Sequence, residues 1–370
     1  MTPCKKAAIE ISGVDSQLRA IERSHGTGTL EIDSGISLMV SSLAKPYFPK
    51  VGVTKGALMR YYTRIWLVLQ PHLQDRALVL KRYPDGVGGP MFFQQNAGAK
   101  VPSVVRVETL ETEDEGPKPR IIGGDLATLL YTVQLGAIEV HPWLSRVGDT
   151  RSPDRCLIDL DPGDDVPFSE VVSLARDVRD IIGQCGLSAA VKTSGSSGIH
   201  LVIPLPPLTS YEKSAQLALQ IARVVVHEQP TRATMERLIK ARPTGTIYVD
   251  ALQNARGKSM AGAYSVRARA EATVSAPIRE RELSARLRTA AFTVSTMPAR
   301  VARLGDLWGD GLSSVPASRT LTTAMAVLEK VLNDTADDAP PSTKPAREKR
   351  RSSEGGSGAR ATGKRRSRRG

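Results

Sequence analysis

The chain has 370 residues, about twice a modal domain, so one large domain with appendages or two closely packed domains are expected, either able to bury a core. Hydrophobic residues make up 41% of it, but no apolar run approaches the roughly 20 residues of a membrane span and no charged-then-apolar leader follows Met1, so a soluble, cytoplasmic protein without a membrane partner is expected. The formal charge is +13, and the three cysteines, Cys4, Cys156 and Cys185, are odd in number and far apart, which excludes a CxxC zinc site and argues against a disulfide framework.

Residues 1–30 lack sustained periodicity and read as a flexible leader. From Thr54, an N-cap residue, apolar residues recur at helical spacing until Pro71, near the helix end. RALVLKRYP from Arg76 reads as a strand, Phe92 and Phe93 lie in a second, and residues 104–110 form a third, followed by ETEDEGPKPR as an exposed loop. Residues 124–136 look helical. IEVH and CLIDLD are extended runs separated by a loop holding Pro142 and Pro153.

A helix is expected over 169–183, and then AAVKTS and IHLVIPL joined across Gly195-Ser196-Ser197-Gly198, a hairpin signature. A long helix follows over 211–228, GTIYVD is a buried strand, and helices recur near Arg281 and over 321–332. Residues 336–370 hold eleven Lys or Arg against four Asp or Glu and almost no large apolar side chain, so they read as a disordered basic tail that cannot offset its ordering entropy. The rest is only moderately basic. Positive charge favours a polyanionic partner without separating DNA from RNA.

Asp159-Leu160-Asp161 ends the apolar run Cys156-Leu157-Ile158, and residues two apart on a strand project to one face. Two carboxylates side by side repel, and a divalent cation with all-oxygen ligation, Mg2+ or Mn2+, keeps both ionised. An Asp-Pro turn capping the next segment would produce the same string. Asp250 ends the apolar run Ile247-Tyr248-Val249, and three acidic groups can hold two metals around a transferring phosphoryl group; a surface Asp opening a turn is the plainer reading. Between them, Lys192-Thr193-Ser194-Gly195-Ser196-Ser197-Gly198-Ile199-His200 has glycines that permit close backbone approach to phosphate. It is no Walker A loop, since GxxxxGK[ST] is absent and a strand follows. His200 is a candidate phosphate ligand, although a lone histidine there is more often structural. No HExxH occurs, which leaves a zincin unsupported.

In order and content these motifs resemble the polymerase domain of bacterial DNA ligase D, within the archaeo-eukaryotic primase superfamily. DLDPG at 159, VKTSGSSGIHLVIPL at 191 and IYVDALQNARGKSMAGAYSVRARAEATVSAPI at 247 look like its three catalytic motifs, and KRYPDG at 81, MFFQQ at 91 and IEVHPWLSR at 138 also match. The resemblance implies an α/β (α+β) primase-like core with mixed and antiparallel sheets flanked by helices over 31–312, a C-terminal helix over 313–335 and the basic tail beyond. It implies a template-directed polymerase that extends ends and fills gaps in non-homologous end joining. Two divalent ions, Mn2+ or Mg2+, would sit on Asp159, Asp161 and Asp250, which are the catalytic residues. Ser194, His200 and Arg267 would contact the triphosphate of an NTP or dNTP, His141 and Arg82 would lie at the nucleotide site, and Phe92 and Phe93 would stack on template bases. The implied partners are DNA with gaps or broken ends carrying a 5′ phosphate, Ku and a separate ATP-dependent ligase, at the nucleoid. KRYPDG is not the KxDG motif of a nucleotidyl-lysine ligase.

Two departures remove positive charge: Gln95 and Ser197 stand where the family usually carries lysine, with Lys100 (toward DNA) and Lys192 (toward nucleotide) as the cations able to compensate. Competing readings are a noncatalytic module that bridges DNA ends through the loop 111–120 and the tail, and a primase that starts chains without a primer. The loop occupies the place of an end-pairing hairpin in the family; an ordinary variable loop fits it as well.

Overall fold

The computed structural model describes residues 3–112 and 116–337, so the basic segment 338–370 lies outside the described residues. The first element contradicts the expectation of a loose leader: Pro3–Ser24 is a helix, α1. Val14 and Leu18 are fully buried, Ile11 and Ile21 pack beside them, and Asp15 pairs with Arg64 at 2.8 Å. Those four apolar residues recur at spacings of three and four, a stripe one helix face wide. It is short and interrupted by Gly13, so it does not stand out among polar neighbours.

Strands β1 (Gly28–Asp33) and β2 (Ile36–Val40) form a hairpin, as do the short β3 (Pro46–Phe48) and β4 (Val53–Thr54). Thr54 caps α2 (Lys55–Arg64), its side chain accepting from the Ala57 N–H at 3.0 Å. The expected single helix breaks at Ile65 (φ −99°, ψ 6°) and resumes as α3 (Trp66–Leu73), with Pro71 inside its last turns. Next come β5 (Leu78–Arg82), β6 (Phe92–Gln94), β7 (Val107–Leu110) and β8 (Lys118–Ile121). β7 and β8 pair as a hairpin, so the stretch read as an exposed loop ends in a strand, with Arg120 buried and its guanidinium 5.5 Å from the Trp143 ring. Residues 113–115 lie outside the described residues.

Asp125 caps α4 (Leu126–Gln134), which leads into β9 (Ala137–Pro142). A small hairpin, β10 (Ser145–Arg146) with β11 (Asp149–Pro153), fills the expected loop before β12 (Arg155–Pro162). Helix α5 (Phe168–Gln184), strands β13 (Ala190–Thr193) and β14 (Ile199–Pro204), helix α6 (Tyr211–Glu228), β15 (Ala233–Thr234) and β16 (Ile247–Asp250) complete the central part. Near Arg281 there is only a 3-10 turn, Glu280–Glu282, in place of the expected helix. The chain then folds α7 (Met297–Leu304), α8 (Leu307–Leu312) and α9 (Ser318–Asp337), the last running two residues into what reads as tail.

Two sheets position the site. One has strand order β13-β14-β12-β16-β15, antiparallel except for the β15–β16 pair, and the other has order β6-β5-β9. Helices α5 and α6 pack on the larger sheet, which is why Ile158, Leu160, Ile199 and Leu201 are buried. Mixed sheets flanked by helices are the α/β (α+β) class the motifs imply. Among the described residues no helix is long and apolar enough to cross a membrane.

Candidate active site

The candidate site is a row of side chains laid across four strands. On β13 Lys192 stands opposite His200 on β14, His200 opposite Asp159 on β12, and Asp159 opposite Asp250 on β16. Directly opposed residues share a face, and Asp161, two residues beyond Asp159, shares it too. His200 Nε2 lies 3.3 Å from Asp159 Oδ1. Burial pushes His200 down to about 4, so its ring is neutral at physiological pH. Burial works against ionising Asp159, but His200, Lys192 and Arg267 more than offset it and hold its carboxyl below the ordinary value. Asp161 moves the opposite way, raised by burial and by the charges of Asp159 and Asp250 against the pull of Arg242.

The three carboxylates share a face, but their oxygens are engaged separately. Asp161 Oδ2 is 3.2 Å from Arg242 Nη1, and Asp250 accepts from the Leu252 N–H at 2.7 Å and Gln253 Nε2 at 2.9 Å. Among the described residues no three His, Cys, Asp or Glu side chains converge as a metal-ligand set. The donor chemistry nonetheless fits a hard divalent cation. All the donors are carboxylate oxygens, burial and then the neighbouring carboxylates raise Asp161, and the Arg242 guanidinium lies against it as a counter-charge.

The turn between β13 and β14 is built for backbone exposure. Ser194 Oγ accepts from the N–H groups of Ser196 and Gly198 at 3.0 Å each, so it caps the turn. Gly195 has φ +75°, and a Cβ on Gly198 would sit 2.4 Å from the Leu160 carbonyl oxygen. Neither position accepts a side chain. Ser197 at the tip is exposed.

Lys192 does not reach the cleft as expected for a nucleotide contact. It is buried, its ammonium facing His200 Nδ1 at 2.5 Å, the Ala261 carbonyl at 3.0 Å and Ser275 Oγ at 2.7 Å. Three acceptors fill its three donors, so it positions His200 from below.

Arg267 donates to Glu139 Oε2 at 3.0 Å and to the Ser194 carbonyl. Glu139, absent from the sequence expectations, is a buried hub that also meets His141 at 3.0 Å and Lys81 at 3.4 Å. Burial would raise its carboxyl, but the hydrogen bond to His141 and the charges of Arg267 and Lys81 hold it far below its ordinary value. The available signal was its spacing of two from His141 on an extended run. Asp159, His200, Arg267, His141, Phe93 and Gln95 face a cleft of about 320 Å3 that the stretch 257–261 also lines.

Phe92 and Phe93 are both exposed, at 44% and 55%, although adjacent strand residues face opposite ways. β6 is an edge strand paired with β5, and its rings stay accessible on both faces, Phe92 beside Arg82 and Phe93 at the cleft beside His141. Arg82 lies 4.8 Å from the Phe92 ring centre and donates to the Leu135 carbonyl at 2.6 Å and Gln94 at 2.8 Å, outside the cleft wall. Lys100 is exposed and also outside that wall.

An acidic row on the central strands of a mixed sheet, beside a glycine-bounded turn, places the molecule among primase-polymerase folds. The family model described as the primase-polymerase domain of LigD matches residues 54–308, and the chain belongs to that family. It is 32% identical over 265 residues to the multifunctional non-homologous end joining protein LigD of Pseudomonas aeruginosa, covering 71% of this chain and 31% of that protein. It is 33% identical over 269 residues to the bifunctional LigD of Bacillus subtilis, covering 72% and 43%. The chain thus spans less than half the length of these relatives. The polymerase domain from Mycobacterium tuberculosis ligase D, solved in complex with DNA, superposes with a TM-score of 0.69 at 30% identity, over 75% of this chain and 99% of that one.

Proposed function

We propose that the protein is a template-directed nucleotidyltransferase that fills gaps and extends DNA ends in non-homologous end joining. The observation that carries the reading is the cross-strand register that sets Asp159 between His200 and Asp250, with Asp161 on the same face and with Asp159 and His200 at the wall of the cleft. Two divalent cations, Mn2+ or Mg2+, held by Asp159, Asp161 and Asp250 would activate the primer 3′ hydroxyl and neutralise charge on the triphosphate. The chain's own groups do the rest. His200, held by Lys192 at Nδ1 and beside Asp159 at Nε2, would border the triphosphate at the cleft wall. Arg267, fixed between Glu139 and the Ser194 carbonyl, adds a positive charge at the same wall, and His141 borders the nucleotide. Ser194 shapes the turn whose backbone approaches the phosphates.

The exposed rings of Phe92 and Phe93 suit stacking on template bases of any identity, with Arg82 backing the first and Lys100 near the DNA path. In this reading the β7–β8 hairpin pairs two ends, and Ku and a separate ATP-dependent ligase act on the same broken DNA.

The test is nucleotide addition to a gapped duplex with a downstream 5′ phosphate, supplying Mn2+ or Mg2+ and ribo- or deoxynucleotides, beside an Asp159→Ala, Asp161→Ala variant. Metal-dependent addition lost in the variant is expected. Tight binding with no addition under any condition would replace the polymerase by the end-bridging module. Dinucleotide synthesis on template without primer would mark a primase.

A further inference from the structure

A second cleft, of about 670 Å3, lies outside the acidic row and is walled by residues between 281 and 303. Arg281, Arg286, Arg288, Arg300 and Arg303 line it against a single carboxylate, Glu282. That carboxylate is already engaged. Arg300 meets both its oxygens, at 2.6 and 2.5 Å, and stacks over the Phe292 ring at 4.9 Å. Arg288 folds back on the carbonyls of Ala285 and Leu287. Arg281, Arg286 and Arg303 remain exposed, without an acidic partner among the described residues.

Three unneutralised guanidiniums on one rim repel each other, and solvent screening leaves each a weak site for an isolated anion. They add up only against a ligand that repeats its negative charge along its length. The cleft offers no exposed aromatic ring, since Phe292 is buried under Arg300, so bases have nothing to stack on. What fits is a nucleic-acid backbone, gripped through phosphates without regard to sequence. The sign of the charge excludes the basic segment 338–370 as occupant.

The cleft is also one extended segment away from the turn at the active site. Val274 donates its N–H to the Phe292 carbonyl and Val294 to that of Ala272, and between them Thr273 donates its hydroxyl to the Gly195 carbonyl and accepts from the Arg267 N–H. Neighbouring strands lie roughly 5 Å apart, so the backbone under Phe292, a residue of the cleft wall, lies close to that turn.

We propose that the arginine cleft is a second, sequence-independent contact for the phosphate backbone of the DNA being extended. That this DNA is the substrate rests on the polymerase reading; the cleft's affinity for nucleic acid does not. The test uses the full chain and fluorescence anisotropy on a gapped duplex across a salt series, with no nucleotide present. An Arg281→Gln, Arg286→Gln, Arg303→Gln variant is expected to lose ten-fold or more in affinity and to flatten the slope of log K against log salt by about 2 to 3, at roughly 0.9 for each phosphate no longer neutralised. The corresponding triple Lys variant keeps the slope, which separates charge from misfolding. Nucleotide addition at saturating DNA is unchanged in both. An unchanged slope in the Gln variant overturns the proposal, and an unchanged slope together with lost binding of poly-glutamate assigns the cleft to an acidic protein instead. Wild-type protein that shows the steep slope but adds no nucleotide sinks the polymerase reading and leaves the cleft standing.

Discussion

Glu139→Gln keeps the shape of the side chain and deletes the charge that two cations, Arg267 and Lys81, share, beside a His141 ring that burial holds toward its neutral form. The side chain is 3% exposed, with Oε2 at 3.0 Å from both Arg267 Nε and His141 Nε2, and Oε1 at 3.2 Å from the Ala268 N–H and 3.4 Å from Lys81 Nζ. Removing one partner of a buried, hydrogen-bonded charge pair costs about 3–5 kcal/mol, because the other charge stays behind without compensation. Glutamine retains one acceptor oxygen and Lys81 can turn to solvent, so the lower end, about 3 kcal/mol, is expected. At roughly 2–4 °C per kcal/mol for a domain of this size, the melting temperature falls by roughly 6–12 °C. Arg267 also loses the carboxylate that holds it at the cleft wall, so KM for nucleotide rises more than kcat falls. Calorimetry and steady-state addition assays read both effects. A variant that melts within a degree of wild type and keeps its KM would refute the claim that Glu139 organises this side of the site.

Three further outcomes follow from the same geometry. Gly198→Ala drives a Cβ against the Leu160 backbone carbonyl at 2.4 Å, so β14 must move from β12 next to Asp159 and Asp161; a loss of about 2–3 kcal/mol in urea unfolding and near-complete loss of addition are expected, and wild-type behaviour would sink the argument. Lysine at the two departures from the family separates by environment: Ser197→Lys at an exposed tip steepens the salt dependence of DNA binding by about 1, whereas Gln95→Lys sets an ammonium where Arg120 Nη1 now donates at 3.2 Å and lowers the melting temperature. Asp154 supplies a pH dependence. Burial would raise its carboxyl, but Arg155, Arg76 and Arg146 lower it to about 2. A carboxyl lowered in the folded state stabilises above its unfolded value of 3.8 and loses that contribution as pH falls through about 2. With its side chain 39% exposed, about 1 kcal/mol is expected after screening, so the stability gap between wild type and Asp154→Asn narrows from pH 5 to pH 2 in urea titrations, and a constant gap contradicts the assignment.

Local periodicity settled the parts of the molecule whose partners lie nearby in the chain. The pitch of a strand puts Asp159 and Asp161 on one face, Gly195 and Gly198 announce the hairpin of β13 and β14, and the apolar stripe bounds α6 at Tyr211 and Glu228. Asp250 was legible as the acid ending an apolar run, whereas motif order made Arg267 and His141 legible as candidate site residues, through resemblance and not through spacing. Only the folded chain decided strand neighbours. β16 comes about 90 residues after β12 and lands against the edge of β12 opposite β14, and that placement alone brings Asp250 beside Asp159. Burial is equally nonlocal: Lys192 reads as a cation free for phosphate and lies beneath His200, Glu139 reads as an ordinary strand residue and anchors Arg267, and Arg242 reaches Asp161 from a segment with no motif of its own. α1 forms because α2 and β1 cover its short apolar stripe. A sequence states which face a side chain takes; the charges and carbonyls that face it come from distant strands, and those decide whether it binds a ligand or holds another residue in place.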